Sequence, residues 1–166
     1  MLDLPQPLAI VCHDAGAANI ILSWLAEAPQ ADIRAVMEGP AARLWRDQFV
    51  DRPICPTVEE ALDSAQALLS GTGWGSDLEH RARIAARGKG IHSAAVIDHW
   101  VNYQARLVRG TVAVLPDAVW ITDDCARVIA ERDLPGIKIV QKPNLYLAQQ
   151  VSRIVPVLQG GTGDVL

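Results

Sequence analysis

Two polar segments carry the side chains best suited to acid–base chemistry. HDAGAAN places His13 and Asp14 directly after an apolar run, and DHWVNY places Asp98 and His99 after another. Histidine is the side chain whose pKa lies nearest neutrality, and a carboxylate can act beside it as an acid or base. We therefore predict His13, Asp14, Asp98 and His99 as catalytic residues.

A glycine loop, GTGWGS at residues 71–76, precedes a helical pattern. Glycines let a backbone approach a ligand without an intervening Cβ, and a strand-to-helix turn directs N–H groups at an anion. The loop matches neither a P-loop nor a strict GxGxxG motif. It is either a loop that donates to a phosphate or sugar oxygen or a tight turn. The predicted ligand-binding residues are Gly16, Asn19, Gly71, Thr72, Gly73, Trp74, Gly75, Ser76, Asn102, Tyr103, Asp123 and Asn144.

Several of these residues have a structural alternative. Tyr103 could stack on a ligand ring or belong to the core, and Asp123 could cap the helix that follows it. Ser76 and Glu79 have the spacing of a capping box. Asp98 and His99 are adjacent, so within a strand they would point to opposite faces, and only a turn would bring them together.

The elements that must position these residues alternate along the chain. Apolar runs predict strands, helical periodicity predicts helices, and short connections join them, which favours a three-layer, doubly wound, mostly parallel α/β sheet of Rossmann-like type. Ligands bind such sheets beyond the carboxyl ends of the strands, where the polar segments fall. The predicted strands are 8–12, 32–38, 67–73, 92–98, 118–124 and 137–141, and the predicted helices are 16–28, 39–49, 57–65, 76–90, 125–134 and 146–158.

Composition narrows the classes of partner. The net charge is −4 without a basic stripe, which argues against nucleic acid, and no apolar run approaches the length of a membrane span. Three separated cysteines form no disulfide framework, and the four histidines lack zinc-site spacing. We expect a cytoplasmic protein with no metal and no cofactor.

The segments GTGWGSDLEHRARIAARGKGIHSAAVIDHWVNY and LPDAVWITDDCARVIAERDLPGIKIVQKPNLYL carry a resemblance to a family. They resemble the N-terminal Rossmann-like domain of GT-B-type sugar-nucleotide enzymes, in particular bacterial polysaccharide-biosynthesis proteins distantly similar to non-hydrolysing UDP-N-acetylglucosamine 2-epimerases and glycosyltransferases. In such enzymes the active site lies between two domains, and the N-terminal one supplies acceptor contacts and a catalytic acid or base.

The resemblance implies a sugar-nucleotide-processing domain of surface-polysaccharide synthesis, with a nucleotide sugar or another phosphorylated small molecule as ligand. We expect one Rossmann-like domain over residues 1–158 and a tail at 159–166 that resembles a linker to a second domain. A second domain or a second copy of the chain is the expected protein partner. Two alternatives stay open: a non-catalytic nucleotide- or anion-binding module, and a small phosphohydrolase with Asp14 or Asp123 as nucleophile.

Overall fold

A six-stranded, all-parallel sheet forms the centre of the molecule in a computed structural model that describes residues 2–154. The chain also forms a separate two-stranded antiparallel hairpin. The sheet strands are β1 (Leu8–Cys12), β2 (Ile33–Met37), β3 (Ala67–Ser70), β4 (His92–Val96), β7 (Ala118–Ile121) and β8 (Lys138–Gln141), and the hairpin strands are β5 (Val108–Arg109) and β6 (Val112–Ala113).

Helices cover both faces of the sheet. They are α1 (Ala15–Ala26), α2 (Gly39–Gln48), α3 (Val58–Asp63), α4 (Leu78–Gly88), α5 (Tyr103–Arg106), α6 (Asp124–Asp133) and α7 (Leu145–Ser152). The strand sequence LAIVC is buried throughout, as expected of a parallel strand covered on both sides. Its alternate residues join different clusters: Ile10 packs with α1 and α2, whereas Val11 packs with α3 and α4. The predicted three-layer, doubly wound α/β fold is confirmed.

The strand order is β2-β1-β3-β4-β7-β8. The chain moves outward from β1 to β2 and then returns past β1 to β3, so the direction of winding changes between β1 and β3. The register pairs Ile10 with Leu69 and Val11 with Ser70, and both strands end at the same edge. In a doubly wound sheet the crevice beyond such a switch point is the expected ligand site.

The observed elements differ from the predictions mainly at their ends. Strands β3, β4 and β7 end earlier than predicted, so Gly71, Asp98 and Thr122 follow their strands instead of belonging to them. Residues 103–113, which carried no predicted element, form α5 and the β5–β6 hairpin. The predicted tail and the predicted end of the last helix, residues 155–166, lie outside the described residues. None of the helices within residues 2–154 has the length and apolar character needed to cross a bilayer.

Candidate functional site

His13 and Asp14 form a hydrogen-bonded pair immediately beyond β1. His13 Nδ1 lies 2.7 Å from Asp14 Oδ1, and both side chains are partly exposed. The carboxylate accepts from Nδ1, so the neutral ring carries its proton there and presents Nε2 as the free base. Gly39, at the start of α2, borders this nitrogen: a Cβ on Gly39 would lie 2.6 Å from Nε2. Any side chain at this position would collide with the imidazole, so the packing of α2 against His13 requires glycine.

Asp14 is held in place by the glycine loop. The Trp74 backbone N–H donates to Asp14 Oδ2 at 3.0 Å, which leaves Oδ1 for the imidazole. Partial burial raises the pKa of Asp14, but the His13 hydrogen bond and the amides of Trp74 and Gly75 outweigh it, so its pKa lies below the usual range. Asp14 occupies the N-cap position of α1 without capping it, because its carboxylate is turned toward the dyad and the loop.

The glycines allow close approach to the backbone, but the groups that approach it are side chains of the protein itself. A Cβ on Gly73 would clash with the Asp14 carboxylate, and one on Gly16 would clash with the Asp98 carboxyl. Gly71, Thr72 and Gly73 are buried. The Trp74 amide of the Gly71–Ser76 loop is therefore occupied by Asp14, and the Asp98 carboxyl lies beside Gly16 at the first turn of α1.

Asp98 is the second acidic group at this edge. Because β4 ends at Val96, the chain turns before His99, and His99 Nε2 comes within 3.4 Å of Asp98 Oδ2. The turn after β4 thus brings the adjacent side chains of Asp98 and His99 together, as a turn at this place was expected to do. Arg106 Nη1 lies 3.8 Å from Asp98 Oδ1, and both side chains are largely buried. The positive end of α1 favours a carboxylate in this position.

Glu79 holds the main chain of the dyad from the protein interior. Its side chain is 1% exposed, and Oε1 accepts the His13 backbone N–H at 2.9 Å. Oε2 is buried without a hydrogen-bond partner. Burial raises the pKa of Glu79, with the Asp14 charge adding to it, more than the hydrogen bond from His13 lowers it. The predicted capping box is wrong: α4 begins at Leu78, whose N–H bonds to Ser76 Oγ, while Glu79 points into the core.

Two predicted ligand-binding residues have capping roles. Asp123 Oδ1 accepts the Ala126 N–H at 2.8 Å, and the Trp100 indole N–H contacts the same carboxylate. Asn144 accepts the Leu147 N–H at 2.9 Å. Both are helix N-caps, which satisfies donors that the first turn leaves unpaired.

Other predicted residues lie in the core or away from the dyad. Tyr103 is fully buried in an apolar cluster, so its ring offers no stacking surface, and Thr72 uses its hydroxyl to donate to the Val96 carbonyl. Asn102 adopts the left-handed conformation, with φ of 61°, and shapes the turn before α5. Asn19 lies further along α1 and lines a groove with residues of α7.

Arg106 and Arg109 were not singled out in the sequence, yet they brace the loops of the site. Arg106 donates to the carbonyls of Val101 and Thr72. Arg109, on β5, donates to Asp77 at 3.1 Å and to the Gly73 carbonyl. Their segment shows no clear periodicity, so nothing in the sequence connects these arginines to the glycine loop. In the sequence, Gly39 was recognised only as the first residue of a predicted helix.

The described residues contain no group of three or more His, Cys, Asp or Glu side chains arranged to hold a metal ion. No protein-family model, curated protein or solved structure matches the chain.

Proposed function

We propose that the chain is a sugar-nucleotide-processing domain of the glycosyltransferase or epimerase type, acting in surface-polysaccharide biosynthesis in the cytoplasm. The observation that carries the proposal is the His13–Asp14 dyad, with its 2.7 Å contact, at the switch point of a doubly wound sheet. A histidine oriented by a carboxylate is suited to move a proton to or from a substrate oxygen or carbon. The resemblance to GT-B-type enzymes supplies the substrate class.

We expect the sugar end of the ligand, and not its phosphates, to lie beside the dyad. The partly exposed Asp14 carboxylate is a hydrogen-bond acceptor, and sugar hydroxyls are donors that match it. A phosphate beside the dyad would meet this carboxylate and find the Trp74 amide already bonded to it. We therefore expect the hydroxyl-bearing end of the ligand to lie at His13, with its phosphates pointing away from the Asp14 carboxylate.

His13 acts as the acid–base group and Asp14 as its orienting partner. Both Asp14 oxygens accept hydrogen bonds, one from the imidazole and one from the Trp74 amide, and this suits orientation better than nucleophilic attack. Asp123 is similarly engaged by the first turn of α6. These contacts disfavour the phosphohydrolase alternative, which needs one of the two carboxylates as a free nucleophile.

The proposal is tested by binding and turnover of nucleotide sugars. Thermal melting with UDP-, GDP- and CDP-hexoses measures binding. ³¹P and ¹H NMR of the incubated compounds detects cleavage at the sugar–phosphate bond and epimerisation of the sugar. His13→Gln is expected to keep the melting shift and to lower turnover about 10²- to 10⁴-fold, the usual contribution of a positioned acid–base group.

His92→Gln is the matched control, because His92 is an exposed histidine at the first position of β4, the opposite end of the strand from the site. It should leave both binding and turnover unchanged. A melting shift without turnover in the wild type would favour the binding-module alternative. The proposal fails if no nucleotide sugar binds, or if His13→Gln turns over as fast as the wild type.

A further inference from the structure

Trp74 stands out as a large apolar side chain left open beside the dyad. It is 53% exposed, although the chain buries Trp24, Trp45 and Trp120 almost completely. Its own backbone N–H is bonded to the Asp14 carboxylate, so the indole projects from a residue whose main chain is fixed against the catalytic pair. Gly73 and Gly75 flank it and contribute no side chain that could shade the ring.

The indole is held in position by Arg106. The guanidinium carbon lies 5.4 Å from the centre of the Trp74 ring, in a cation–π arrangement. Arg106 is itself fixed, since it is 8% exposed and donates to the carbonyls of Val101 and Thr72. A buried, hydrogen-bonded arginine thus packs against the ring, and more than half of the residue remains open to solvent. The result is a preorganised aromatic platform.

The surroundings of this platform combine two chemical characters. The ring offers a flat apolar surface, and the partly exposed Asp14 carboxylate and His13 imidazole offer polar partners at the same end of the sheet. A hexopyranose ring has the complementary pair of features: its C–H face is apolar, and its rim carries hydroxyl donors. A purine or pyrimidine base matches the apolar surface but brings few hydroxyl donors for the Asp14 carboxylate.

We propose that Trp74 is the stacking platform for the pyranose ring of the ligand, orienting its hydroxyls toward Asp14 and His13. This inference rests on the proposed function for the identity of the ligand as a nucleotide sugar, and it adds which part of that ligand is bound and by which residue. Trp74 is a binding residue in this assignment, and proton transfer stays with His13.

The test combines ligand titration with ¹⁹F NMR on the full chain. The protein contains five tryptophans, so 5-fluorotryptophan labelling gives five resonances, and Trp74→Phe assigns one of them by its loss. UDP-N-acetylglucosamine, UDP-glucose, GDP-mannose, the free nucleotides UDP and GDP, and methyl glycosides are titrated separately. A sugar-bearing compound should shift the Trp74 resonance, and UDP or GDP alone should not.

Affinity measurements with Trp74→Ala complete the test. Loss of one stacked ring is expected to weaken a nucleotide sugar about tenfold or more, while the affinity for the free nucleotide stays the same. Trp100→Ala is the matched control, since Trp100 is also exposed, at 62%, but is hydrogen-bonded to Asp123. It should bind every compound as the wild type does.

The outcomes separate this inference from the proposed function. If nucleotide sugars bind and turn over but Trp74→Ala binds them normally, the platform is refuted and the function stands. If only methyl glycosides bind, and in a Trp74-dependent way, the platform stands and the nucleotide-sugar function fails. If Trp74→Ala weakens UDP or GDP as much as the sugar compounds, the ring stacks on the base and the inference is wrong. It is equally wrong if no sugar compound shifts the Trp74 resonance.

Discussion

At the scale of single residues, the site depends on how carboxylates are supported. Asp14 accepts hydrogen bonds from an imidazole and a backbone amide, and these hold its pKa below the usual range. Glu79 has the opposite environment: it is buried with one unpartnered oxygen, and burial raises its pKa. Two acids in contact with the same histidine residue are thus driven toward different protonation behaviour. Such separation is typical of sites that use acid–base chemistry.

The raised pKa of Glu79 predicts a particular dependence of stability on pH. A carboxyl group whose pKa is higher in the folded state contributes stability below its unfolded pKa, and this contribution is lost as the pH rises through the folded pKa. The usual value is near 4.5, so wild-type protein should lose stability relative to Glu79→Gln as the pH rises above it. Glutamine keeps an acceptor for the His13 N–H but cannot ionise.

Urea unfolding between pH 4 and pH 8 measures this difference. The free energies of unfolding of the two proteins should be similar at the acidic end and should diverge in favour of Glu79→Gln toward neutral pH. Glu27→Gln, at the exposed C-cap of α1, is the control and should show a constant difference over the same range. A constant difference for Glu79→Gln as well would mean that Glu79 titrates normally.

At the scale of elements, strand-to-helix connections decide which predicted residues can reach a ligand. Sequence patterns located all six sheet strands, because parallel strands buried on both faces have nearly continuous apolar sequences. They also located the polar segments at the correct sheet edge. The patterns could not show which way a side chain turns at a helix start. Ser76 and Glu79 have capping-box spacing, yet the helix begins two residues after Ser76, and Glu79 faces the core.

Local sequence patterns likewise did not predict the contacts that hold the dyad and the glycine loop in place. The sequence shows that His13 and Asp14 follow β1, but it does not show that the Trp74 amide, 60 residues away along the chain, also binds Asp14. Arg109 donates to the Gly73 carbonyl from a hairpin that the sequence pattern did not predict. Long-range contacts of this kind come from packing of elements and are not encoded in local periodicity.

Asp123 allows capping and ligand binding to be separated experimentally. Its carboxylate caps α6 by accepting the Ala126 N–H, so Asp123→Ala should lower the free energy of unfolding by about 1 kcal/mol without changing ligand affinity. Asp123→Asn should be close to wild type, because asparagine is an equally good cap. Thr57→Ala removes the corresponding cap of α3 and should cost a similar amount.

Chemical denaturation and calorimetric titration with a nucleotide sugar provide the two measurements. If Asp123→Ala loses more ligand affinity than Thr57→Ala, Asp123 contributes to ligand binding as well as to capping. An equal loss of affinity in Asp123→Asn and Asp123→Ala would point to a role for the charge.

At the scale of the whole molecule, the site is supported by helices on both faces of the sheet. The helix α1 begins directly after the dyad and carries the buried Trp24 near its other end. The Trp24 and Trp120 rings meet edge to face, with centroids 5.6 Å apart, and this joins α1 to β7. The Trp24 indole N–H also donates to the Pro143 carbonyl at 2.8 Å, which joins α1 to the segment before α7. One side chain therefore links the first and last thirds of the described chain.

This linkage predicts that Trp24→Phe destabilises the fold as a unit. Phenylalanine leaves a small cavity and an unpaired Pro143 carbonyl, which together should lower the free energy of unfolding by about 2–3 kcal/mol. For a domain of this size the melting temperature should fall by roughly 5–10 °C. Circular dichroism melting measures the change, and Trp100→Phe serves as an exposed control expected to shift it by less than about 2 °C. Because α1 carries the dyad at its other end, a single melting transition should persist. A fall no larger than that of Trp100→Phe, or separate transitions for two parts of the sheet, would show that Trp24 does not couple the dyad helix to the far strands.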